Sequence, residues 1–181
     1  ANYYHGGAVS WTGPNGILTS STFSNNSANR GGGIDWRGAN GILTSSTFSN
    51  NSANRGGAVY WSYTTYDGLL CNSNFINNTA NLDGGAIHWD GTKCTITDST
   101  FNDNTASWRG GAISCAYTST LTNCSFKSAS VNSNGIYGFA GLNINGGSGI
   151  VYIFVNSTLS GTSIVVLNNE TYYYPPNSNI N

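Results

Sequence analysis

The chain has 181 residues, of which six are Lys or Arg and seven are Asp or Glu, and its formal net charge is −1. So little charge excludes an extended nucleic-acid-binding surface, which needs clustered basic residues to neutralise phosphates. Eleven Tyr, seven Phe and five Trp exclude a disordered chain, and no apolar run approaches the roughly 18 residues of a membrane-spanning helix.

In chain order, the first strong feature is an eighteen-residue segment, residues 15–32, that recurs unchanged as residues 40–57. Weaker copies follow, and Gly pairs recur at intervals of 25 to 28 residues. The runs between them are short, β-branched or aromatic, and bounded by Gly and Asn, which is typical of strands and turns. A unit of about 25 residues with two or three such strands predicts one coil of a parallel β-helix.

Equivalent residues of successive units form apolar columns that a β-helix would stack at about 4.8 Å per coil. Alternation within the first strand of each unit predicts an inward Val/Ile column: Val9, Ile34, Val59, Ile87 and Ile113. Two residues further on is an inward Trp column, Trp11, Trp36, Trp61 and Trp89, with Cys115 in fifth place. A Leu/Ile column follows, and then a Phe column: Phe23, Phe48, Phe75, Phe101 and Phe126. The residues between the first two columns are expected to face solvent: Ser10, Asp35, Tyr60, His88 and Ser114.

An Asn column marks one corner of each coil: Asn26, Asn51, Asn78 and Asn104. Asn tolerates left-handed backbone, and its amide can bond to the coils above and below, as in stacked Asn ladders. The Gly pairs mark a second corner, where a side chain would clash.

The period decays toward the end of the chain. We therefore predict regular coils over residues 1–131, and degenerate coils with a C-terminal cap or strand-donating tail over residues 132–181, because terminal repeats of solenoids are usually atypical. At the observed period the whole chain would form about seven coils. No N-terminal cap is visible in the sequence, and an open end would invite a further strand.

The motifs G-G-A-I and F-x-N-N-x-A, spread over residues 4–131, resemble two families. These are the repeats of polymorphic outer-membrane proteins and the adhesin-like surface proteins of methanogenic archaea. The resemblance implies a right-handed parallel β-helix and a role in cell-surface attachment or in a surface layer.

Four cysteines are compatible with two disulfides in an oxidising compartment. Cys71 and Cys94 fall on neighbouring coils, and Cys115 and Cys124 fall within one coil, so we expect these two pairs. Six asparagines stand in N-x-S/T triplets and are possible glycosylation sites: Asn25, Asn50, Asn77, Asn123, Asn156 and Asn169. Together these features favour an extracellular or cell-surface glycoprotein.

A polysaccharide lyase or hydrolase is the catalytic alternative, because such enzymes often use parallel β-helices. A glycosidase needs two carboxylates about 5 to 10 Å apart, yet Asp98 and Asp103, which share a coil, flank Phe101. The acids that could gather near one edge are Asp83 and Asp90, beside Lys93 and His88. His5 and His88 lack metal-ligand spacing. We therefore predict no catalytic residues, no metal site and no cofactor.

Three binding surfaces are possible. The Trp column could stack on sugar rings, although its place two residues from the Val/Ile column favours the core. Arg30, Arg55 and Arg109 occupy similar corners and could meet an anionic glycan, although solvated surface is the plainer interpretation. A Thr column could bind ice, but Cys71 interrupts it.

The sequence thus favours a non-catalytic extracellular structural protein. It would act either as an adhesin-like stalk that contacts a glycan or a cell, or as a fibre subunit. In the fibre, open β-helix ends would associate head to tail, which generates filaments. The alternatives are the polysaccharide-degrading enzyme and a monomeric glycan-binding module.

Overall fold

The computed structural model describes residues 5–62, 66–117 and 119–126, and beyond them the backbone of strands within residues 136–180. All regular structure in the described part of the chain is β-strand. The first coil contains β1 (Val9–Trp11), β2 (Ile17–Thr19) and β3 (Thr22–Ser24); the second β4 (Ile34–Trp36), β5 (Ile42–Thr44), β6 (Thr47–Ser49) and β7 (Ser52–Arg55); the third β8 (Val59–Trp61), β9 (Gly68–Cys71), β10 (Asn74–Ile76) and β11 (Thr79–Asp83); the fourth β12 (Ile87–Trp89), β13 (Cys94–Thr97), β14 (Thr100–Asn102) and β15 (Thr105–Ala106). Then follow β16 (Ile113–Cys115), β17 (Ser119–Phe126), β18 (Ile136–Gly138), β19 (Leu142–Tyr152), β20 (Ser157–Ser160), β21 (Ser163–Leu167), β22 (Glu170–Tyr174) and β23 (Ser178–Ile180).

Corresponding strands of successive coils pair in parallel, so the predicted fold class, a parallel β-solenoid, is confirmed. The first sheet has the order β1-β4-β8-β12-β16-β18. A second sheet runs β2-β5-β9-β13 and joins, through the long strand β17, the series β14-β10-β6-β3. A short third sheet has the order β15-β11-β7. The right-handed turn of the solenoid stays a prediction.

The predicted number of coils is wrong. The solenoid makes about four regular turns, and not seven. Toward the C-terminus the strands change partners: β21 pairs antiparallel with β22, and β20 pairs antiparallel with β23. Antiparallel pairs fold back and add no turn, so dividing the chain length by the period overcounts the coils. The expected boundary at residue 131 lies outside the described residues.

Stacked aromatic rings fill the interior. Neighbouring indoles of the Trp column are stacked with centroids 4.1 to 5.4 Å apart, and neighbouring Phe rings are 4.9 to 5.0 Å apart. Trp36, Trp61 and Trp89 are fully buried, and the Val/Ile column is buried from Ile34 to Ile113. Trp11 and Val9, in the first coil, are only partly buried. This one cluster forms the core of the solenoid.

Glycines face the Trp column from the second sheet. A Cβ atom on Gly41 would lie 2.4 Å from Nε1 of Trp36, and one on Gly68 would lie 2.5 Å from the ring of Trp89. Real carbon atoms do not approach so closely. The close approach therefore requires Gly at this position in the first three coils, at Gly16, Gly41 and Gly68.

The Asn column forms a buried hydrogen-bonded ladder. The Nδ2 group of Asn51 donates to Oδ1 of Asn78 at 3.0 Å, and that of Asn78 donates to Oδ1 of Asn104 at 2.9 Å. Each amide also donates to a carbonyl of the Phe strand in the preceding coil, and each Oδ1 also accepts the backbone N–H of the preceding Asn. Every coil is thereby tied to the next at the same corner.

Candidate functional site

The outer side of the first sheet collects nine of the fifteen Arg, Lys, His, Asp and Glu residues of the chain. All four arginines, both histidines and three of the seven acidic residues of this sparsely charged chain lie there. We call this surface the polar face. One column precedes the strands: His5, Arg30, Arg55, Asp83 and Arg109. A second lies in the strands: Ser10, Asp35, Tyr60, His88 and Ser114. The third follows them: Arg37, Ser62, Asp90 and Ala116.

The middle column is buried, so the expectation that it faces solvent is wrong for all of it except Ser10. Asp35 is 0% exposed, Tyr60 1% and His88 6%. Side chains of the flanking columns cover them: the guanidinium of Arg30 lies over the Tyr60 ring, 5.0 Å from its centroid. Arginine can lay its apolar stem over a neighbour in this way. Alternation correctly points these residues outward but does not show what folds over them.

Asp35 is held by an arginine of its own coil. Nε and Nη2 of Arg37 donate to Oδ2 of Asp35 at 2.9 and 2.7 Å. Nδ1 of His5 lies 3.6 Å from the same oxygen. Oδ1 of Asp35 is buried and has no hydrogen-bond partner among the described residues. A buried carboxylate of this kind is stable only because a charged donor pairs with it.

Tyr60, His88 and Asp90 form a second group. The hydroxyl of Tyr60 donates to Oδ2 of Asp90 at 2.7 Å, and Nε2 of His88 lies 2.9 Å from Oδ1. The rings of Tyr60 and His88 are stacked, with centroids 5.5 Å apart. Burial, and then the hydrogen bond to Asp90, raise the pKa of Tyr60. Burial opposes ionisation of Asp90, but its contacts with His88 and Tyr60 outweigh this and lower its pKa.

A pocket of about 150 Å³ opens beside this group. Arg55, Asp83, His88, Asp90, Arg109 and Ser114 line it, and Cys115 and Ala116 complete the lining. Asp83 lies between two arginines, with Oδ2 3.4 Å from Nε of Arg55 and Oδ1 3.3 Å from Nε of Arg109. Nδ1 of His88 is buried and has no hydrogen-bond partner in the described part of the chain. The pocket is therefore lined by two guanidinium groups, two carboxylates and the imidazole of His88.

Trp108 stacks with Arg109, which lines the pocket, and the repeat pattern does not single Trp108 out. Its indole is 59% exposed, and the guanidinium of Arg109 lies 3.5 Å from the ring centroid. In the Trp column, by contrast, Trp36, Trp61 and Trp89 are stacked inside the solenoid and are fully buried. Trp108 stands outside that column, and this departure from the repeat is the sequence feature that indicates an exposed Trp.

The Asn residues of the predicted glycosylation sites are exposed wherever side chains are described. Asn25, Asn50 and Asn77 lie at one corner with φ of 57°, 55° and 52°, and Asn123 has φ of 52° on another side. Because coils are about 4.8 Å apart, bulky glycans do not fit on three successive corner residues at once. Asn156 and Asn169 lie outside the described residues. Glycosylation stays a prediction.

Neither predicted disulfide is formed, since the structure holds all four cysteines, which lie within its described part, as thiols. Cys71 pairs in register with Thr97, and Cys94 pairs with Gly68. The first two cysteines are thus three residues, about 10 Å, apart along the strand, beyond the roughly 7 Å that a disulfide spans between Cα atoms. For the second predicted pair, Sγ of Cys115 lies 3.9 Å from Sγ of Cys94. The register partner of Cys94 is Ser119, and Cys124 lies five residues beyond Ser119 along the strand. Cys115 therefore lies beside Cys94 and not beside Cys124.

Within the described ranges, no group of three or more His, Cys, Asp or Glu residues is arranged to hold a metal ion. The same part of the chain contains no helix that is both long and apolar enough to span a membrane.

Comparison with known proteins identifies the repeat. Residues 20–35, 45–60, 72–88 and 98–116 match the Chlamydia polymorphic membrane protein repeat. Each match runs from the Phe strand, past the Asn ladder and the Gly pair, into the first sheet. The resemblance to polymorphic outer-membrane proteins is therefore confirmed, and it points to a cell-surface or outer-membrane protein with an adhesin-like role. No curated protein and no solved structure matches the chain significantly.

Proposed function

We propose that this chain is a non-catalytic, extracellular, adhesin-like module whose polar face contacts a glycan. One observation carries the proposal: a chain with only 7% charged residues gathers all its arginines and histidines on one side of the solenoid, where Arg55, Arg109 and His88 line a pocket. The match to the Chlamydia polymorphic membrane protein repeat supports a location at the cell surface. The stacked core and the Asn ladder would hold this face at a fixed geometry.

The chemistry of the pocket favours binding over catalysis. Asp90 has a lowered pKa, which suits a hydrogen-bond acceptor and is the opposite of what a general acid needs. Asp83 is shared between Arg55 and Arg109, so its oxygens already face cations. Arginine donors beside carboxylate acceptors match the neighbouring hydroxyl groups of a sugar, and the exposed indole of Trp108 offers a surface on which a sugar ring can stack.

A glycan array tests the proposal. We expect the full chain to bind a restricted set of glycans, and Arg55→Gln and Asp90→Asn to abolish or strongly weaken that binding. Lys93→Gln and Asp98→Asn are the controls, because each removes a charge of the same sign as its counterpart at an exposed position away from the polar face. No binding by the wild type, or equal losses in the controls, would contradict the proposal. Depolymerisation of an acidic polysaccharide that Asp83→Ala abolishes would instead support the enzyme.

Head-to-tail assembly into a fibre is a second candidate. Residues 15–32 and 40–57 are identical. The upstream edge of β2 and β3 therefore presents the same groups with which β5 and β6 bind the first coil. In the described residues, β2 and β3 each pair on one side only. Electron microscopy of the purified protein at increasing concentration would show filaments, whereas dispersed particles throughout would exclude this version.

A further inference from the structure

Two departures from the repeat meet at one place in the core. Cys115 stands where the four earlier coils have Trp. Cys94 stands in register with Gly68, at the position where earlier coils have the Gly that faces the indole. A Cβ atom on Gly68 would lie 2.5 Å from the Trp89 indole of the following coil. The coil that follows Cys94 has Cys115 in place of Trp, so the side chain of Cys94 meets no indole from that coil.

The two thiols fill the vacated space together. Their Sγ atoms are 3.9 Å apart, and the residues are 2% and 1% exposed. A disulfide has an S–S length of about 2.05 Å, so the sulfurs need to approach by only about 2 Å. Cys94 belongs to the fourth coil and Cys115 to the next, so a bond between them would close one full turn of the solenoid.

We propose that Cys94 and Cys115 are the site of a cross-coil disulfide, formed when the chain folds in an oxidising compartment. The oxidant is a disulfide of the thiol–disulfide exchange class, such as oxidised glutathione. The thiolate of one cysteine attacks it, forms a mixed disulfide and releases one thiol. The second cysteine then attacks the mixed disulfide and releases a second thiol, with one proton lost from each cysteine. Overall, two protein thiols are oxidised and one small disulfide is reduced.

The other two cysteines do not compete for this bond. Sγ of Cys124 lies 3.7 Å from the carbonyl oxygen of Ile96, and burial raises the pKa of its thiol to about 11. It therefore has little of the thiolate that exchange requires. Sγ of Cys71 lies in the outward Thr column, 3.2 Å from Oγ1 of Thr44, and its strand position is too far from Cys94.

Peptide mapping tests the pairing directly. The chain is refolded with oxidised and reduced glutathione, blocked with iodoacetamide without reduction, and cut with trypsin. Cleavage after Lys93, Arg109 and Lys127 places Cys94 in residues 94–109 and Cys115 in residues 110–127. We expect these two peptides to be linked, and fragmentation to assign the link to Cys115. Cys94 and Cys115 both recovered in the alkylated form would overturn the proposal, and so would a link to Cys71 or Cys124.

Thermal unfolding gives a second readout. We expect reduction to lower the Tm of the wild type by roughly 5–10 °C, since closing a loop of about one coil restricts the unfolded chain. Cys94→Ser and Cys115→Ser should each remove this dependence on reductant, whereas Cys71→Ser should retain it. A wild-type Tm that is the same with and without reductant would overturn the proposed disulfide. The peptide map does not depend on any variant folding.

Discussion

The Asn ladder offers the sharpest test of how the coils are held together, and Asn78 is its central member. Its side chain makes four hydrogen bonds in a fully buried position. Oδ1 accepts from the backbone N–H and the Nδ2 group of Asn51, both at 3.0 Å. Nδ2 donates to Phe48 O at 3.0 Å and to Asn104 Oδ1 at 2.9 Å. Asn78→Ala removes all four and leaves donors of Asn51 buried without an acceptor.

The expected loss follows from these bonds. At a net contribution of about 1 kcal/mol per hydrogen bond, the variant loses about 4 kcal/mol of unfolding free energy, and unsatisfied buried donors increase that loss. Asn26→Ala is the matched control. It changes the same residue type in the same ladder, but the side chain of Asn26 makes one hydrogen bond within the described residues, to Asn51 at 2.9 Å. Its expected loss is therefore about 1 kcal/mol.

Urea denaturation followed by circular dichroism measures both losses. Neither substitution destroys a glycosylation triplet, because Asn26 and Asn78 occupy the middle positions. Equal losses in the two variants, or a loss at Asn78 below that at Asn26, would show that the ladder does not stabilise the coils through its side-chain bonds.

Three further predictions concern the core and the polar face. Gly41→Ala places a carbon 2.4 Å from Nε1 of Trp36 and should cost about 1–3 kcal/mol by overpacking, whereas Gly13→Ala, whose nearest atom would be 3.8 Å away, should cost far less in the same denaturation assay. Tyr60→Phe should cost about 1.5–3 kcal/mol, because the Tyr60 hydroxyl donates to the carboxylate of Asp90; a variant as stable as the wild type would contradict this. The lowered pKa of Asp90 contributes stability that is present above the unfolded pKa of about 3.9 and is lost as pH falls through the folded value. Unfolding free energies measured between pH 2 and 7 should therefore decline less toward acid in Asp90→Asn than in the wild type. The same dependence on pH in both proteins would refute a stabilising role for the Asp90 carboxylate.

The contact between Tyr60 and Asp90 also makes the free energy of unfolding depend on pH in the alkaline range. Because the pKa of Tyr60 is raised, the folded state binds its proton more tightly than the unfolded state does. The associated stability is fully present below the unfolded pKa of about 10 and is lost as pH rises above it. The Tyr60–Asp90 contact thus contributes most between these two limits.

The alternation of side chains within strands separates Cys71 from Cys94. Cys71 interrupts an outward Thr column, so it points away from the core, whereas Cys94 occupies an inward Gly position. Two residues whose side chains point to opposite faces of a sheet do not form a disulfide with each other. Proximity of coils alone suggested that pair, and the alternation of side chains argued against it.

The sequence by itself determined the repeat architecture. A fixed period places Trp11 on Trp36 and Asn51 on Asn78, because in-register stacking brings identical positions together at every coil. The period alone was sufficient to predict the apolar columns and the Asn corner.

Tertiary structure alone decided the polar face and the end of the solenoid. Asp35 and Tyr60 point outward, as alternation indicates, but Arg37 binds Asp35 and Arg30 covers the ring of Tyr60. The direction of a long side chain is set by the partners it finds. Toward the C-terminus β20 pairs antiparallel with β23, which lies beyond β21 and β22 in the chain, and the period of the repeat does not predict that partner. A period fixes what is repeated. It does not fix the contacts of long side chains, or the strand pairing where the repeat ends.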